Sequence, residues 1–213
     1  MPNWITNTIT EEQEKILLEL CHNVNPINSH NSQIRIGEIG SYTGKSSSIF
    51  GNFVKLHGGD FYSIDWFKGS EGTGLTSNIY GLDLFLIYTL NIRELGLDNY
   101  IHTMIMTSEE ANKIIKDDYF DLFFVDADHR YEGIKRDIDL WLPKVRKEGI
   151  LCGHDYEAHW TSLTEKEKIY CNNNLDLDLI EFGNGHLHHG IVKAVGEKFK
   201  DINTKANLWW IVK

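Results

Sequence analysis

The sequence predicts an α/β protein built on a doubly wound, mostly parallel sheet, with an N-terminal helix and a C-terminal cap. Three observations carry this reading. Between residues 33 and 154, five apolar strand-like segments alternate with stretches of helical periodicity. The connections between them are about 10 to 30 residues long, which suits right-handed βαβ crossovers. Residues 120–126 (Phe-Asp-Leu-Phe-Phe-Val-Asp) are almost continuously apolar, the pattern of a strand covered on both faces.

The elements follow in order. Thr10 and Gln13 have capping-box spacing, and Ile16, Leu17, Leu20 and Val24 mark one apolar face, so the first helix follows Thr10. Residues 25–32 are turn-forming. Residues 33–39 read as a strand and 45–57 as a helix, stopped at Gly58-Gly59. A strand over 61–66 leads into a Gly/Ser/Thr-rich loop at 67–77, a helix over 79–95 ended by Gly96, and a strand over 100–106. Thr107 and Glu110 repeat the capping-box spacing for a helix to about Lys116. The strand 120–126 is followed by a helix over 131–141, closed by Pro143, and a strand over 149–154. Beyond residue 156 the pattern weakens. Residues 157–172 read as a mostly polar helix, 175–182 as a strand, 190–200 as a helix and 207–212 as a final strand. In that last strand Trp209 and Trp210 face opposite sides, for core or oligomer packing.

Composition narrows the function. A chain of 213 residues is long enough for one well-buried domain. Its net charge of -10 disfavours a nucleic-acid partner and leaves a small molecule as the expected one. Three scattered cysteines form neither a disulfide framework nor a zinc motif. No apolar run reaches the ~18 residues of a membrane span, and the first residues lack a signal-peptide pattern. A cytoplasmic protein without a membrane partner is expected.

In a doubly wound sheet, ligands bind at the carboxyl ends of the strands. The first such end carries Gly40-Ser-Tyr-Thr-Gly44-Lys45-Ser46 before a helix. A phosphate-binding P-loop is one reading, but only three residues separate Gly40 from Gly44, where the loop needs four. A nucleoside pocket is the other, with Asp65 at the next strand end placed to accept ribose hydroxyls. Asp126, Asp128 and His129 lie at a third strand end, His154 and Asp155 at a fourth. The carboxylates suit Mg²⁺, and the histidines beside them also suit Mn²⁺ or Zn²⁺. His129, with an ordinary pKa near 6.5, is a candidate general base, and Asp128 is its rival. His186, His188 and His189 lack helical ligand spacing and read as part of a glycine-hinged loop, 183–190.

Four ordered motifs carry a family resemblance: Glu38-Ile-Gly-Ser-Tyr-Thr-Gly44, Ser63-Ile-Asp65-Trp66, Val125-Asp126-Ala-Asp128-His129-Arg-Tyr131, and Gly149-Ile-Leu-Cys-Gly-His154-Asp155-Tyr156. Together they resemble class I S-adenosylmethionine-dependent methyltransferases, in particular a small bacterial group related to sugar O-methyltransferases. The likeness covers residues 33–156 and resumes at Gly190-Ile-Val-Lys-Ala-Val and Leu208-Trp-Trp-Ile-Val-Lys213. It implies a Rossmann-like fold in one methyltransferase domain: a helical extension to residue 32, a cofactor core over 33–156 and a cap over 157–213. It implies that Glu38 and Gly40 line the methionine end of S-adenosylmethionine, with Ser41, Tyr42 and Gly44 continuing that wall. Asp65 would hold the ribose, with Trp66, Thr107 and Ser108 around the adenine. Asp126 is counted both with the cofactor and, with Asp155 and His154, as a metal ligand for Mg²⁺ or Mn²⁺. Tyr156 stands where relatives carry a further Asn or Asp ligand, and Tyr42-Thr43 fill the turn where relatives have a third glycine. The implied activity is O-methylation of a small hydroxylated acceptor, with segments 67–80 and 157–189 selecting it and 67–77 and 183–190 as mobile lids. A methyltransferase-like domain that binds a nucleoside or partner without catalysis is the alternative, followed by a P-loop-like nucleotide enzyme.

Overall fold

The computed structural model describes residues 9–24, 33–69 and 83–213. Five parallel strands form the expected frame: β1 (Arg35–Ile39), β2 (Asp60–Asp65), β3 (Ile101–Ile105), β4 (Phe120–Val125) and β5 (Val145–Gly153). Two short strands, β8 (Asn203–Lys205) and β9 (Leu208–Val212), complete a sheet of order β3-β2-β1-β4-β5-β9-β8, with β9 antiparallel to both neighbours. A separate hairpin pairs β6 (Ile180–Phe182) with β7 (Gly185–Leu187). This is the mostly parallel, Rossmann-like sheet that the sequence predicts. Strand order reverses between β1 and β4, which opens a crevice above their carboxyl ends.

The helices lie where periodicity places them. Helix α1 (Glu11–Asn23) starts in a completed capping box: Gln13 N–H donates to Thr10 Oγ1 at 3.2 Å and Thr10 N–H to Gln13 Oε1 at 2.8 Å. Helices α2 (Lys45–His57), α4 (Ser108–Ile114) and α5 (Tyr131–Trp141) match their predicted spans, α4 ending two residues early. Helix α3 covers Leu84–Glu94; the predicted start at 79–82 lies outside the described residues. The predicted helix 157–172 is instead a 3₁₀ turn, Trp160–Ser162, and a separate α6 (Glu165–Asn172) with its own Thr164/Glu167 capping box. Helix α7 spans His189–Lys198.

Strand β5 begins four residues before its predicted start because Arg146 is buried in it. Asp121 neutralises that guanidinium at 2.6 Å and also accepts the Arg35 N–H at 2.7 Å, so a basic residue sits inside the sheet. Strand β8 was not legible, being three polar residues. It pairs only because Ala206 and Asn207, at φ 51° and 63°, make the two-residue turn that the strand twist favours.

Alternation along β4 splits the core between the two sheet faces. Leu122 and Phe124 join the layer under α1, α2 and α3, and Phe123 and Val125 the layer under α5 and α7; Phe120, across a register shift from Leu122, joins the second layer out of alternation. Trp141 of α5 stacks on Phe123 at 4.3 Å. Trp209 is fully buried in the second layer and Trp210 half-buried against the first, so both tryptophans pack within the chain. All three cysteines are buried free thiols. Among the described residues no helix is long and apolar enough to cross a membrane.

One carboxylate interrupts the apolar interior. Glu38 on β1 is completely buried and accepts from Ser47 and Ser63 hydroxyls. Burial pushes its carboxyl up to about 7 from 4.5, against the opposing pull of those hydroxyls. The folded chain therefore keeps a proton that the unfolded chain releases. The resulting stabilisation is complete below about pH 4.5 and is lost as pH rises through about 7. A shift of that size is of the order of 3 kcal/mol. Glu38→Gln should remove this loss. In urea denaturation at pH 5 and pH 8, the wild type should weaken relative to the variant; equal pH dependence in the two chains would show that Glu38 ionises without penalty.

Candidate functional site

The crevice above β1, β2, β4 and β5 is a cleft of about 510 Å³. Its floor is the loop between β1 and α2. Gly40, at φ 92°, packs so tightly on the end of β4 that a Cβ there would lie 1.9 Å from the Asp126 carbonyl oxygen. Ser41, Tyr42 and the loop backbone line the cleft, and Gly44 caps α2 in a left-handed conformation. Glu38 lies beneath this floor and does not face the cleft; Ser41 Oγ, 2.6 Å from Ser63 Oγ, belongs to the same buried hydroxyl group.

One end of the cleft is built on β2 and β3. Asp65 accepts the backbone N–H groups of Tyr42 (2.9 Å) and Phe67 (2.7 Å), so it braces the glycine loop while lining the cleft. Burial pushes its carboxyl upward in spite of those donors. Trp66, 40% exposed, stands beside it. Thr107 caps α4 through Glu110. Ser108 is buried, donating to Asp137 Oδ1 (2.6 Å) and accepting from Trp141 Nε1 (2.8 Å). Asp137 is pushed up to about 6 by burial, and Arg136 lies 3.9 Å from it while pairing with Glu109 at 3.0 Å.

At the other end the two predicted clusters meet, because β4 and β5 are neighbours. His129 Nε2 lies 3.3 Å from Asp126 Oδ1 and 3.7 Å from Asp155 Oδ2. Burial alone would lower the His129 pKa, but the adjacent carboxylates of Asp126, Asp178 and Asp155 hold it well above the ordinary imidazole range. The surrounding histidines in turn hold Asp155 below the usual carboxylate range, against the effect of burial. Asp128 is committed elsewhere: it accepts Nε and Nη2 of Arg130 at 2.9 and 2.8 Å and the Arg130 backbone N–H at 3.1 Å. This bidentate pair leaves it a poor rival to His129 as a base.

His154 joins Asp126 and Asp155 in one group of potential ligands, as expected. Its ring nitrogens are nevertheless both engaged. Gln13 is oriented by the Thr10 N–H on its Oε1, so its amide NH₂ faces the Ala206 carbonyl and His154 Nε2, each at 2.9 Å. Nε2 is therefore an acceptor, and Nδ1 carries the proton toward Asp155 Oδ1 at 3.0 Å. His154 in this arrangement orients Asp155 rather than offering a metal its own lone pair.

Three residues of this cluster were not predicted: Glu157, Asp178 and His188. His188 comes from the segment read as a glycine-hinged lid. In the structure that segment is β7 and the start of α7, and His189 is fully buried. The proposed lid at 67–77 lies outside the described residues from 70 onward. Asp137 had a usable signal, a carboxylate on the apolar face of a helix between Ile134, Ile138 and Trp141. Asp178 and His188 had none, since only the folding of the cap brings them to the strand ends.

Residues 38–156, more than half of the chain, match the family model described as a methyltransferase domain. An uncharacterized protein, y4gI, of Sinorhizobium fredii is 28% identical over 128 residues, 58% of this chain. That stretch is 13% of its length, so the chain spans about an eighth of this relative. Among solved structures, an O-methyltransferase from Bacillus cereus in complex with SAH aligns with a TM-score of 0.59 at 16% identity, covering 96% of this chain and 82% of that one. The O-methyltransferase TomG from Streptomyces achromogenes, in complex with SAM, aligns at 0.57 and 14% identity, covering 96% and 81%. At these identities the likeness concerns the fold. With residues 38–156 matched to the family model, the chain belongs to the methyltransferase-domain family.

Proposed function

We propose that this protein transfers a methyl group from S-adenosylmethionine to a hydroxyl of a small acceptor such as a sugar, assisted by a divalent ion. The observation that supports this most is the polarity of the cleft. A carboxylate placed for a ribose stands at one end, and Asp126, His129 and Asp155 converge at the other. The residues fit the donor: Gly40 keeps the loop close against the end of β4, and Asp65 lines the cleft at the end of β2, where a ribose-binding carboxylate would stand. S-adenosylmethionine, when bound, supplies an electrophilic methyl group on a sulfonium. Mg²⁺ or Mn²⁺ on Asp126 and Asp155 would polarise the acceptor oxygen. His154, through its Nδ1–H, would keep Asp155 turned toward that position.

His129 then handles the proton. Its Nε2, 3.3 Å from Asp126 Oδ1 and 3.7 Å from Asp155 Oδ2, would accept the proton of the acceptor hydroxyl, with Asp178 at 3.1 Å from Nδ1 on the far side of the ring. The remaining work is alignment and exclusion of water. The cap supports the enclosure by packing α6 and the β6–β7 hairpin beside the acceptor end.

Asp65→Ala should weaken S-adenosylhomocysteine binding by about 1.5–3 kcal/mol, the range for hydrogen bonds to a charged group. Asp65→Asn, which keeps a side chain bracing the loop, should lie between. Isothermal titration with ATP and NAD as controls checks this, and an undiminished affinity in Asp65→Ala would remove the ribose assignment.

Chelation and His129→Ala should each reduce turnover, the latter by about 10²–10⁴-fold. Their combined loss should be less than additive, because both act on one hydroxyl. Methyl transfer from labelled donor to a panel of sugars and small alcohols is the assay. Full activity after chelation would refute metal assistance. Donor binding without transfer to any acceptor would favour a binding domain.

A further inference from the structure

The cap leaves the core at Glu157 and returns at His188, and the two ends meet. His188 Nδ1 is 2.6 Å from Glu157 Oε1 and 3.8 Å from Asp155 Oδ1, while the His188 backbone N–H donates to Glu157 Oε2 at 3.2 Å. One ring nitrogen thus faces oxygens of two carboxylates. A proton on Nδ1 can lie along only one of those directions. It serves Glu157 and leaves a second negative oxygen against the same nitrogen.

The wider cluster has the same shortage of positive charge. Asp126, Asp155, Glu157 and Asp178 share His129, His154 and His188. The Nδ1 of His129 is buried without a hydrogen-bond partner: Asp178 Oδ1 stands 3.1 Å away, off the direction an N–H would need. The His129 and His188 rings meet edge to face at 5.0 Å.

We propose that Asp155, Glu157 and His188 form a binding site for a divalent transition-metal ion of the zinc class, which clips the two ends of the cap to the core. One ligand atom from each of the three residues lies within 4.8 Å of the others. Ligands about 2.0–2.2 Å from a common ion stand roughly 3–4 Å apart, so on binding the His188–Glu157 contact opens from 2.6 Å while Asp155 stays near its 3.8 Å from His188. An imidazole among the donors selects a borderline ion over Mg²⁺. Asp155 bridges this site to the ion proposed on Asp126, its Oδ1 facing His188 and its Oδ2 facing the His129 side. The ion closes a 31-residue excursion at its base, where a local cross-link holds α6 and the β6–β7 hairpin over the acceptor end. The site shares Asp155 with the ion proposed for methyl transfer, so the expected second equivalent rests on that reading, while Glu157 and His188 belong to the cap site alone.

The test is the zinc content of the chelator-stripped full chain after equilibration with Zn²⁺, together with S-adenosylhomocysteine affinity as a separate measure of the core. Two equivalents are expected in the wild type. Glu157→Gln and His188→Ala should each retain one equivalent, at least tenfold weaker binding being lost at the cap site, and Asp126→Asn should lose the other. Should His188→Ala fail to fold, His188→Gln keeps a hydrogen bond to Glu157 while being a poor zinc ligand, and the same loss is expected. Zinc should also slow proteolysis within residues 173–187 in the wild type and not in Glu157→Gln. A wild type that binds no zinc, or whose zinc survives both Glu157→Gln and the His188 variants, would overturn the proposal and leave a hydrogen-bonded His188–Glu157 pair only. Zinc lost only in Asp126→Asn would likewise overturn it while leaving metal-assisted methyl transfer intact. Two equivalents without S-adenosylhomocysteine binding would uphold the clip and refute the methyl-donor reading.

Discussion

The contact of Gly40 with the Asp126 carbonyl is the constraint around which the site is arranged. Strand order reverses between β1 and β4, so the chain leaving β1 and the chain leaving β4 diverge from adjacent points. Without a side chain at residue 40, the two loops touch at their roots. The glycine loop, which floors one half of the cleft, and the acidic strand end, which forms the other, are thereby fixed relative to each other. Asp65 then locks the loop from the far side through the Tyr42 N–H. A substitution at residue 40 would separate the two halves before it altered any ligand contact.

Electrostatics divide the site into two regimes. Glu38 and Asp137 are buried among hydroxyls and apolar groups, and burial favours their protonated forms. They act as neutral structural groups beneath and beside the cleft. Asp126, Asp155, Glu157 and Asp178 are surrounded by imidazoles, which favour the charged forms of Asp155 and Asp178. Only the second region can attract a cation or manage a proton. Carboxylates and imidazoles thus gather at the His129 end of the cleft, while Asp65 and the Arg136–Glu109 pair stand toward the other.

The N-terminal helix participates more directly than an extension usually does. Gln13 closes the capping box of α1 and, with the same side chain, touches the β8–β9 turn and His154. Helix start, hairpin turn and strand end are knotted at one amide. Lys45 at the start of α2 adds an ion pair to Glu14, at 3.3 Å, so α1 is held against the loop-bearing helix as well. Residues far from the cleft in sequence therefore set the tautomer of a ring inside it.

The sequence by itself determined the alternation of strands and helices through residue 154, the capping boxes at Thr10 and Thr107, and the strand ends at which Asp65, Asp126 and Asp155 stand. Those features are local: side-chain periodicity and turn chemistry act over a few residues and are written in consecutive letters. The glycine loop was legible for the same reason. Tertiary structure alone decided that Arg146 would be buried, since its partner Asp121 lies on another strand, and that β8 would form, since a polar triplet pairs only when a turn folds it back. It also decided that Asp128 would be tied to Arg130 and that Glu157, Asp178 and His188 would join His129. These residues sit up to some tens of positions apart, on segments whose relative placement is fixed by how the cap packs against α5 and α7. No periodicity records such packing, because charge–charge proximity across a fold has no signature in the spacing of the residues that make it.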